Sequence, residues 1–430
     1  MEELYQEFVE SASSALCEVM FQSESDLVER ARVLDRDVQE ILRTVGLMTM
    51  SKIFSRLSSE LEEKAKASGL TVQTRPVITF HVLFGALEVE SPYLWERGHS
   101  CKPVKDRLGL THQGRSEPLE RALTDFGIEE SFCQAAKRFE EHYGWSVDKS
   151  TVRRVTQSIA SQAERYVQEK LTETRRAYEM PLSQRCGVAS LVTELDGCQI
   201  RTAEYEKGET LRRKIDWMEV RTGLVTDLDG QEKRYVGRMD SYPEIVDQLF
   251  SLAVEHGLSK KTKVIAVADG AKGLKEEMER QFPTVQFILD KPHLKQHLYE
   301  TAEALGYQAE DRHKWVESIL DLTDTGRTQE ALERLRAEYG ASSVDSLSRL
   351  IGYIERFRNC IHYEDFKEQG YPIGSGEIES AHRYISQKRL KIPGACWNPK
   401  SINPILALRV LRANEWWEEF WENRQQKRAA

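Results

Sequence analysis

Cysteine is scarce in this 430-residue chain and is never closely paired. The sequence contains no CxxC motif, which excludes a zinc ribbon, and an odd number of scattered cysteines argues against a disulfide framework. We expect each cysteine to be a small buried hydrophobic residue. The seven are Cys17, Cys101, Cys133, Cys186, Cys198, Cys360 and Cys396.

Long apolar runs are also missing. No segment approaches the roughly 20 apolar residues that span a bilayer, which excludes a membrane-spanning protein. The N-terminus, MEELYQEFVE, is acidic and lacks the basic start and apolar centre of a secretory signal. With 40% hydrophobic and 30% charged residues, the chain has the balance of a soluble protein of two or three domains, and we expect it in the cytosol.

Acidic residues are absent from one region of an otherwise acidic chain. The formal net charge of −9 speaks against a nucleic-acid partner, but a net charge can conceal a segregated distribution. Residues 381–412 contain no Asp or Glu, which predicts a basic face in one place. The cations of this stretch are Arg383, Lys388, Arg389, Lys391, Lys400, Arg409 and Arg412.

The first 180 residues divide into two predicted regions. In residues 1–70, apolar residues recur at spacings of three and four, which predicts helices that end near Gly69 and form a bundle or an oligomerisation arm. Residues 71–180 begin with β-rich runs, PVITFHVLFGALEVE, which predict two antiparallel strands with a turn at SPY.

A helix-turn-helix pattern follows at residues 131–160. The first helix should end at Gly144, and Ser150 is a typical residue at the start of the second. The second helix carries Arg153 and Arg154, which we predict to contact DNA. Two apolar helices joined by a glycine turn also occur for purely structural reasons.

Residues 187–300 have the pattern of an α/β core. Three predicted strands, the first ending at Asp196, precede an amphipathic helix. A buried strand that ends at Asp269 follows, then a helix, a further strand and another helix. This order is that of an RNase H-like fold, in which helices flank both faces of a mixed sheet. Residues 301–370 are helical and rich in charge, which predicts an insertion; residues 371–430 hold the last core helix and the C-terminal helices.

Two aspartates stand out by their positions. Asp196 and Asp269 each follow an apolar run and precede a glycine, and the active sites of open α/β sheets lie beyond the carboxyl ends of the strands. In phosphoryl transfer, two Mg²⁺ ions about 3.5–4 Å apart can activate the attacking oxygen and stabilise the departing one. Because carboxylates hold such ions, a third carboxylate would favour this site. Aspartate at a strand end is also common as a turn former.

The loop GSGEIES contains two candidates for the third carboxylate. Glu377 and Glu379 lie two residues apart near a helix start and therefore point in different directions. The glycines and serine before them suit the close approach of a helix N-terminus to phosphate. Alternatively, Ser375 and one of the two glutamates cap the helix N-terminus, which explains the pattern equally well. Spacing alone does not show which glutamate is the third carboxylate.

Several segments resemble one known group of enzymes. ILDKPHLKQHL, YPIGSGEIES followed by QKRLKIPGACW, and the terminal LALRVLRANEWWEEFW are similar to bacterial insertion-sequence transposases of the ISKra type, which are relatives of the mutator-like DDE group. The resemblance is weaker in SPYLW, KPVKDRLGL and the helix-turn-helix, and it extends from about residue 75 onward. The N-terminal region has no cysteine cluster, so no zinc-stabilised module for binding DNA ends is inferred.

The resemblance implies a DDE triad that binds two Mg²⁺ ions, for which Mn²⁺ can substitute. On the matching motifs, Asp196, Asp269 and Glu379 are the catalytic acids and metal ligands. Glu377 occupies a variable position of its motif, which assigns it to capping or solvent.

The resemblance also implies residues that lie near the DNA. His293, of the DxxH motif, is a catalytic residue that donates a hydrogen bond to the scissile phosphate, or else a structural histidine. Trp315 resembles the insertion-domain tryptophan of such enzymes, close to the DNA end, although a core position is an equal alternative. Arg383, Lys388 and Arg389 follow the third acid and are expected to neutralise phosphates.

The leading hypothesis is a DNA transposase of the bacterial cytosol and nucleoid. It would cleave transposon ends and join the freed 3′-hydroxyl to target DNA, as a dimer or larger homo-oligomer. A catalytically silent DNA-binding regulator derived from a transposase is a second hypothesis, and the complete set of acids counts against it. A nuclease or resolvase on the same RNase H-like core is a third.

Overall fold

The computed structural model describes residues 2–23, 29, 31–96, 98–178, 187–207, 211–282, 284–342 and 344–429. These residues belong to two compact units. The first consists of Met1–Gly127 with Phe132–Arg153, and the second of Ile128–Ser131 with Arg154–Ala430. In the described part of the chain, no helix is both long enough and apolar enough to cross a membrane.

The first unit begins with two helices, as predicted. Helix α1 spans Glu2–Ser23 and helix α2 spans Leu34–Ala67. The chain leaves α2 through Gly69, whose φ of +92° is a conformation that glycine adopts without strain. One side of α2 packs Leu47 and Phe54 against the buried apolar residues of the hairpin that follows.

Six short strands and a short helix come next. Strands β1 to β6 span Thr71–Thr74, Val77–Val82, Gly85–Glu90, Tyr93–Glu96, His99–Cys101 and Gly114–Arg115, and helix α3 spans Pro103–Leu108. They form two sheets, in the orders β1–β4–β5 and β3–β2–β6. The predicted antiparallel pair is β2–β3, but the prediction of its turn at SPY is wrong. The chain reverses just before Gly85, where a φ of +139° permits a tight turn, and SPY leads into the other sheet.

Three longer helices follow. Helices α4, α5 and α6 span Glu117–Glu129, Phe132–Tyr143 and Lys149–Ala177. Gly144, with a φ of +69°, ends α5 as predicted. The next helix begins at Lys149, one residue before the predicted start at Ser150, and Asp148 caps it: its carboxylate accepts a hydrogen bond of 2.7 Å from the backbone N–H of Ser150.

The second unit is built on a mixed sheet of five strands, which confirms the predicted α/β class. Its strands β7 to β11 span Ser190–Lys207, Leu211–Thr226, Lys233–Arg238, Lys263–Ala268 and Val285–Leu289. Helices α7, α8 and α9 span Tyr242–Glu255, Leu274–Gln281 and Lys291–Ala304. The strand order is β11–β10–β7–β8–β9, with β8 antiparallel to both β7 and β9 and β10 parallel to both β7 and β11.

The remainder of the second unit is helical, as predicted for residues 301–370. Helices α10 to α13 span Ala309–Asp324, Thr328–Ser342, Asp345–Arg356 and Tyr363–Glu368. Helix α14, Gly376–Ala381, continues through a π-helical segment, His382–Gln387, into the short helix α15, Lys388–Leu390. Helices α16 and α17, Ile402–Ala413 and Trp417–Ala429, complete the described chain.

The cysteine predictions are partly correct. Among the described residues the cysteines are free thiols, and Cys360 is buried. Cys17 and Cys133 are exposed on α1 and α5, so the prediction that each cysteine is buried is wrong for these two. Cys186 lies outside the described residues.

Candidate active site

Three aspartates lie next to one another on three adjacent strands. The last paired residues are Leu195 of β7 with Ala268 of β10, and Ala268 with Leu289 of β11. The residues that follow are Asp196, Asp269 and Asp290. Because neighbouring strands lie about 4.8 Å apart, the register alone places the three carboxylates side by side.

The prediction that Asp196 ends its strand is wrong. Strand β7 continues to Lys207, and Asp196 pairs with Thr222 of β8 in the middle of a long antiparallel ladder. The prediction for Asp269 is confirmed, since β10 ends at Ala268. The neighbourhood of the two acids is therefore formed by a strand end on one side and by a continuous strand on the other.

Asp196 and Asp269 repel each other electrostatically. Burial raises the pKa of Asp269, and the charge of Asp196 raises it further, while a hydrogen bond of 3.1 Å from the backbone N–H of Ala271 opposes the shift. The carboxylate of Asp196 accepts a hydrogen bond of 2.6 Å from its neighbour Gly197 and is partly exposed. Two adjacent carboxylates of this kind are a donor set that a divalent cation would stabilise.

His293 is held by Asp290 at the start of α9. The Asp290 carboxylate is buried and accepts hydrogen bonds from the backbone N–H of His293 at 3.0 Å and from its Nδ1 at 2.6 Å. The hydrogen bond to Asp290 raises the pKa of His293, and the charges of Asp269 and Asp196 add to the shift. The His293 ring therefore lies in the field of the predicted catalytic acids, with Nε2 as its second polar atom.

A second buried carboxylate, which sequence reasoning missed, fixes the start of α14. Glu194 lies two residues before Asp196, on the same face of β7, and accepts a hydrogen bond of 2.8 Å from the backbone N–H of Ile378. Burial raises the pKa of Glu194 to about 8, so its neutral form predominates at pH 7. Asp290 binds the same loop through the backbone N–H of Ser375 at 2.7 Å.

His382, also missed, joins this helical segment to Asp196. Its Nε2 lies 3.4 Å from the Asp196 carboxylate and its Nδ1 lies 3.4 Å from the hydroxyl of Thr222, which in turn contacts Ser386 at 2.8 Å. Burial lowers the pKa of His382, so the ring is a neutral polar partner of Asp196. The signal available in the sequence was a histidine two residues after the GSGxxES motif, on the helix that was already expected to face the acids.

The two glutamates of the GSGEIES loop are both exposed. Glu377 pairs with Lys233 at 2.6 Å, which agrees with its assignment away from the acids. Glu379 lies between Ile378 and His382, the two residues through which the helix contacts β7. Among the described side chains, no three of His, Cys, Asp or Glu are close enough together to hold a metal ion, so the structure brings Asp196 and Asp269 together without adding Glu379.

The predicted basic face is only partly at the surface. Arg383, Lys388, Lys391 and Lys400 are exposed. The prediction is wrong for two arginines, because Arg409 is fully buried and Arg389 is 3% exposed, with its guanidinium 4.7 Å from the centre of the Trp397 ring. Burial lowers the pKa of His382 and raises that of Cys198, and the charge of Lys391 also acts on both groups, which places this cation near Asp196.

Trp315 lies in the core of the helical segment. It is 5% exposed, and its Nε1 donates a hydrogen bond of 2.8 Å to Glu338. This arrangement favours the structural alternative for Trp315. Arg153 and Arg154 are both exposed on α6, and their contact with DNA stays a prediction.

Gly270 is required by the packing beside Asp269. A Cβ at this position would lie 2.6 Å from Cζ of Tyr353, a half-buried residue of α12. We expect Gly270→Ala to lower the free energy of unfolding by about 1–3 kcal/mol and to displace the loop that carries Asp269. Urea unfolding of Gly270→Ala and of Gly270→Ala/Tyr353→Leu checks this. Because leucine is smaller than tyrosine, the double variant should recover stability. Equal stability of the wild type and the two variants would contradict the prediction.

The chain is similar to a family of proteins and to a solved structure. Residues 29–425 match the uncharacterised protein family UPF0236. Comparison with curated proteins gives no match. Among solved structures, the chain is similar to one titled "Drosophila P element transposase strand transfer complex", at 12% identity over 73% of this chain and 82% of that one. The TM-score is 0.26, below that of a shared fold.

Proposed function

The chain belongs to the uncharacterised protein family UPF0236, and we propose that it is a DNA transposase of the DDE type. The observation that carries this proposal is the adjacent placement of Asp196 and Asp269 on neighbouring strands of a mixed sheet. The ISKra-type resemblance of the GSGxxES and DxxH motifs supports the same assignment. The GSGxxES motif contacts the sheet through the backbone N–H of Ile378, which donates to Glu194, and the DxxH motif through the backbone N–H of Asp290, which donates to Ala268. The two motifs contact each other through Ser375 and Asp290.

The strand order favours an RNase H-like core. Three antiparallel strands are followed by a helix, a parallel strand, a helix and a second parallel strand, and the first strand is central. In such a sheet the ligand site lies at the carboxyl ends of the parallel strands, where the order of connections reverses. Asp269 is in this position, and Asp196 lies beside it on β7, at the point where the pairing of β7 with β10 ends.

Asp196 and Asp269 would hold divalent cations, with Glu379 as the third ligand. Bound Mg²⁺ or Mn²⁺ would activate the attacking oxygen and stabilise the departing one. Glu379 is assigned this role because Ile378 is hydrogen-bonded to Glu194 and His382 contacts Asp196, so the helix is held over β7 on both sides of the glutamate. The Glu379 side chain is exposed and would have to change rotamer to reach the aspartates.

The other side chains of the site position the acids and the DNA. Asp290 orients His293, whose Nε2 would donate a hydrogen bond to the scissile phosphate. His382 restricts the carboxylate of Asp196. The exposed cations Arg383, Lys388 and Lys391 would contact phosphates of the bound strand.

DNA products separate this proposal from the two other hypotheses. The purified protein is incubated with Mg²⁺ and a plasmid that carries the gene with its flanking DNA. A transposase gives both strand breaks at the element ends and joined products in a second plasmid. A nuclease or resolvase gives breaks without transfer into the second plasmid, and a silent regulator binds the ends and breaks nothing.

We further propose that α1 makes the protein a homo-oligomer. Leu4, Tyr5, Phe8 and Val9 form an apolar stripe with exposed fractions from 39% to 70%, and such a stripe favours a helix partner. We expect Leu4→Glu/Phe8→Glu to convert a dimer to a monomer in light scattering. Ser14→Glu, which adds charge to the same helix, is the control and should remain dimeric. A monomeric wild-type protein would refute this proposal.

A further inference from the structure

Strands β7 and β8 extend beyond the sheet as a two-stranded ribbon. Among the described residues, β10 pairs with β7 up to Leu195, and β9 pairs with β8 from Arg221. The β7–β8 ladder continues to the pair Lys207–Leu211. Trp397 stiffens one edge of the ribbon, because its backbone N–H donates to Arg201 at 3.1 Å and its carbonyl accepts from Ala203 at 2.8 Å.

One face of this ribbon is aromatic, apolar and cationic. The cross-strand pairs Arg201–Trp217, Ala203–Ile215 and Tyr205–Arg213 share this face, since paired residues of an antiparallel ladder point to the same side. Tyr205 is 62% exposed, Trp217 61% and Ile215 46%. The ribbon face is defined as Arg201, Ala203, Tyr205, Arg213, Ile215 and Trp217.

The charges of the ribbon are divided between its two faces. The acids Glu204 and Asp216 lie on the opposite face, which also contains Lys214 and the buried Ile200 and Thr202. The ribbon face carries two arginines, and the next carboxylate on the same side of the ladder, Glu219, forms an ion pair with Arg221. Exposure of the Trp217 side chain to water costs free energy. A tryptophan opposite an arginine suits a ligand that has both negative charge and aromatic surface.

We propose that the ribbon face binds DNA that flanks the catalytic site. Arg201 and Arg213 contact phosphates, and Trp217 and Tyr205 pack against bases or sugars. Arg201 is five residues after Asp196, which corresponds to about 17 Å along the strand, or about five base pairs of duplex. Asp196 and Arg201 leave β7 on opposite faces, so the ribbon face holds flanking DNA rather than the scissile phosphate.

This inference rests on the proposed function for the choice of DNA, and binding tests it separately from catalysis. Binding of a fluorescent duplex from the flank of the gene is measured by anisotropy in EDTA. We expect Trp217→Ala to weaken binding about tenfold. Arg201→Gln/Arg213→Gln should reduce the slope of log Kd against log salt by about two. Trp95→Ala, which removes another exposed tryptophan, is the matched control and should bind as the wild type does.

The outcomes distinguish the two proposals. Cleavage by wild-type protein together with unchanged binding by Trp217→Ala overturns the ribbon assignment and leaves the proposed function standing. Weaker binding by Trp217→Ala, while Trp95→Ala binds as the wild type does, supports it. If the wild type binds DNA through Trp217 and never cleaves, the proposed function fails and the ribbon assignment stands. Loss of an oligomer, with DNA binding intact, identifies the ribbon face as a protein contact and overturns the proposal.

Discussion

Asp196→Asn is expected to lower Mg²⁺-dependent strand breakage and strand transfer about a thousandfold or more, without weakening DNA binding. The substitution keeps the shape of the side chain and its hydrogen bond with Gly197, but removes the charge that a divalent cation requires. Loss of several kcal/mol of transition-state stabilisation corresponds to this factor. Asp269→Asn should have the same effect, because the two carboxylates are neighbours. The measurement is the rate of product formation from the gene-flank plasmid.

Two glutamates of one helix provide the matched control. Glu379→Gln should reduce the rate as strongly as Asp196→Asn, whereas Glu377→Gln removes only an exposed ion pair with Lys233 and should leave the rate within a few-fold. Normal strand transfer by Asp196→Asn would end the catalytic assignment. Equal activity of the two glutamate variants would remove Glu379 from the site while leaving the aspartates in it.

Arg409→Met is expected to lower the free energy of unfolding of the second unit by about 3–5 kcal/mol. The Arg409 side chain is fully buried, and its guanidinium donates hydrogen bonds to Glu129 and to the carbonyl oxygen of Tyr384. Its removal leaves the Glu129 carboxylate with only Lys388 among its described cation partners. Calorimetry should show a decrease in Tm of about 10 °C.

Lys388→Met is the control for this prediction. Lys388 pairs with the same carboxylate but is half exposed, so its removal should cost about 1 kcal/mol or less. Arg409→Met/Glu129→Met removes the buried charge together with its half-buried partner and should recover most of the lost stability. Equal stability of Arg409→Met and the wild type would show that the buried ion pair contributes nothing.

The ion pair also predicts a dependence on pH. Burial opposes ionisation of Glu129, but Lys388 and Arg409 together hold its pKa below the usual value. Between the lowered folded pKa and the ordinary unfolded pKa, the unfolded chain binds more protons, so the stability of the wild type falls as the pH falls through this window. In Arg409→Met, the free energy of unfolding should change much less across this pH window than it does in the wild type.

Buried segments could be predicted from the sequence because the apolar residues of each strand and helix recur with the period of that element. The apolar run before Asp269 forms β10, which is paired on both sides, and the run and the strand end together. The same reasoning failed for Asp196. There the apolar run stops where burial stops, but the hydrogen bonds of β7 continue into the exposed ribbon. Burial and backbone pairing coincide in β10 and separate in β7.

The sequence by itself determined the class of the core, the order of its elements, the helical segment between β11 and α14, and the two aspartates at the sheet. Only the tertiary structure decided that Glu194 and His382 belong to the site and that Arg389 and Arg409 are not surface charges. These residues depend on partners far along the chain: 184 positions separate Glu194 from Ile378, and 280 separate Arg409 from Glu129. A local pattern records the kind of side chain and its period, whereas what covers that side chain is set by segments that meet only after folding.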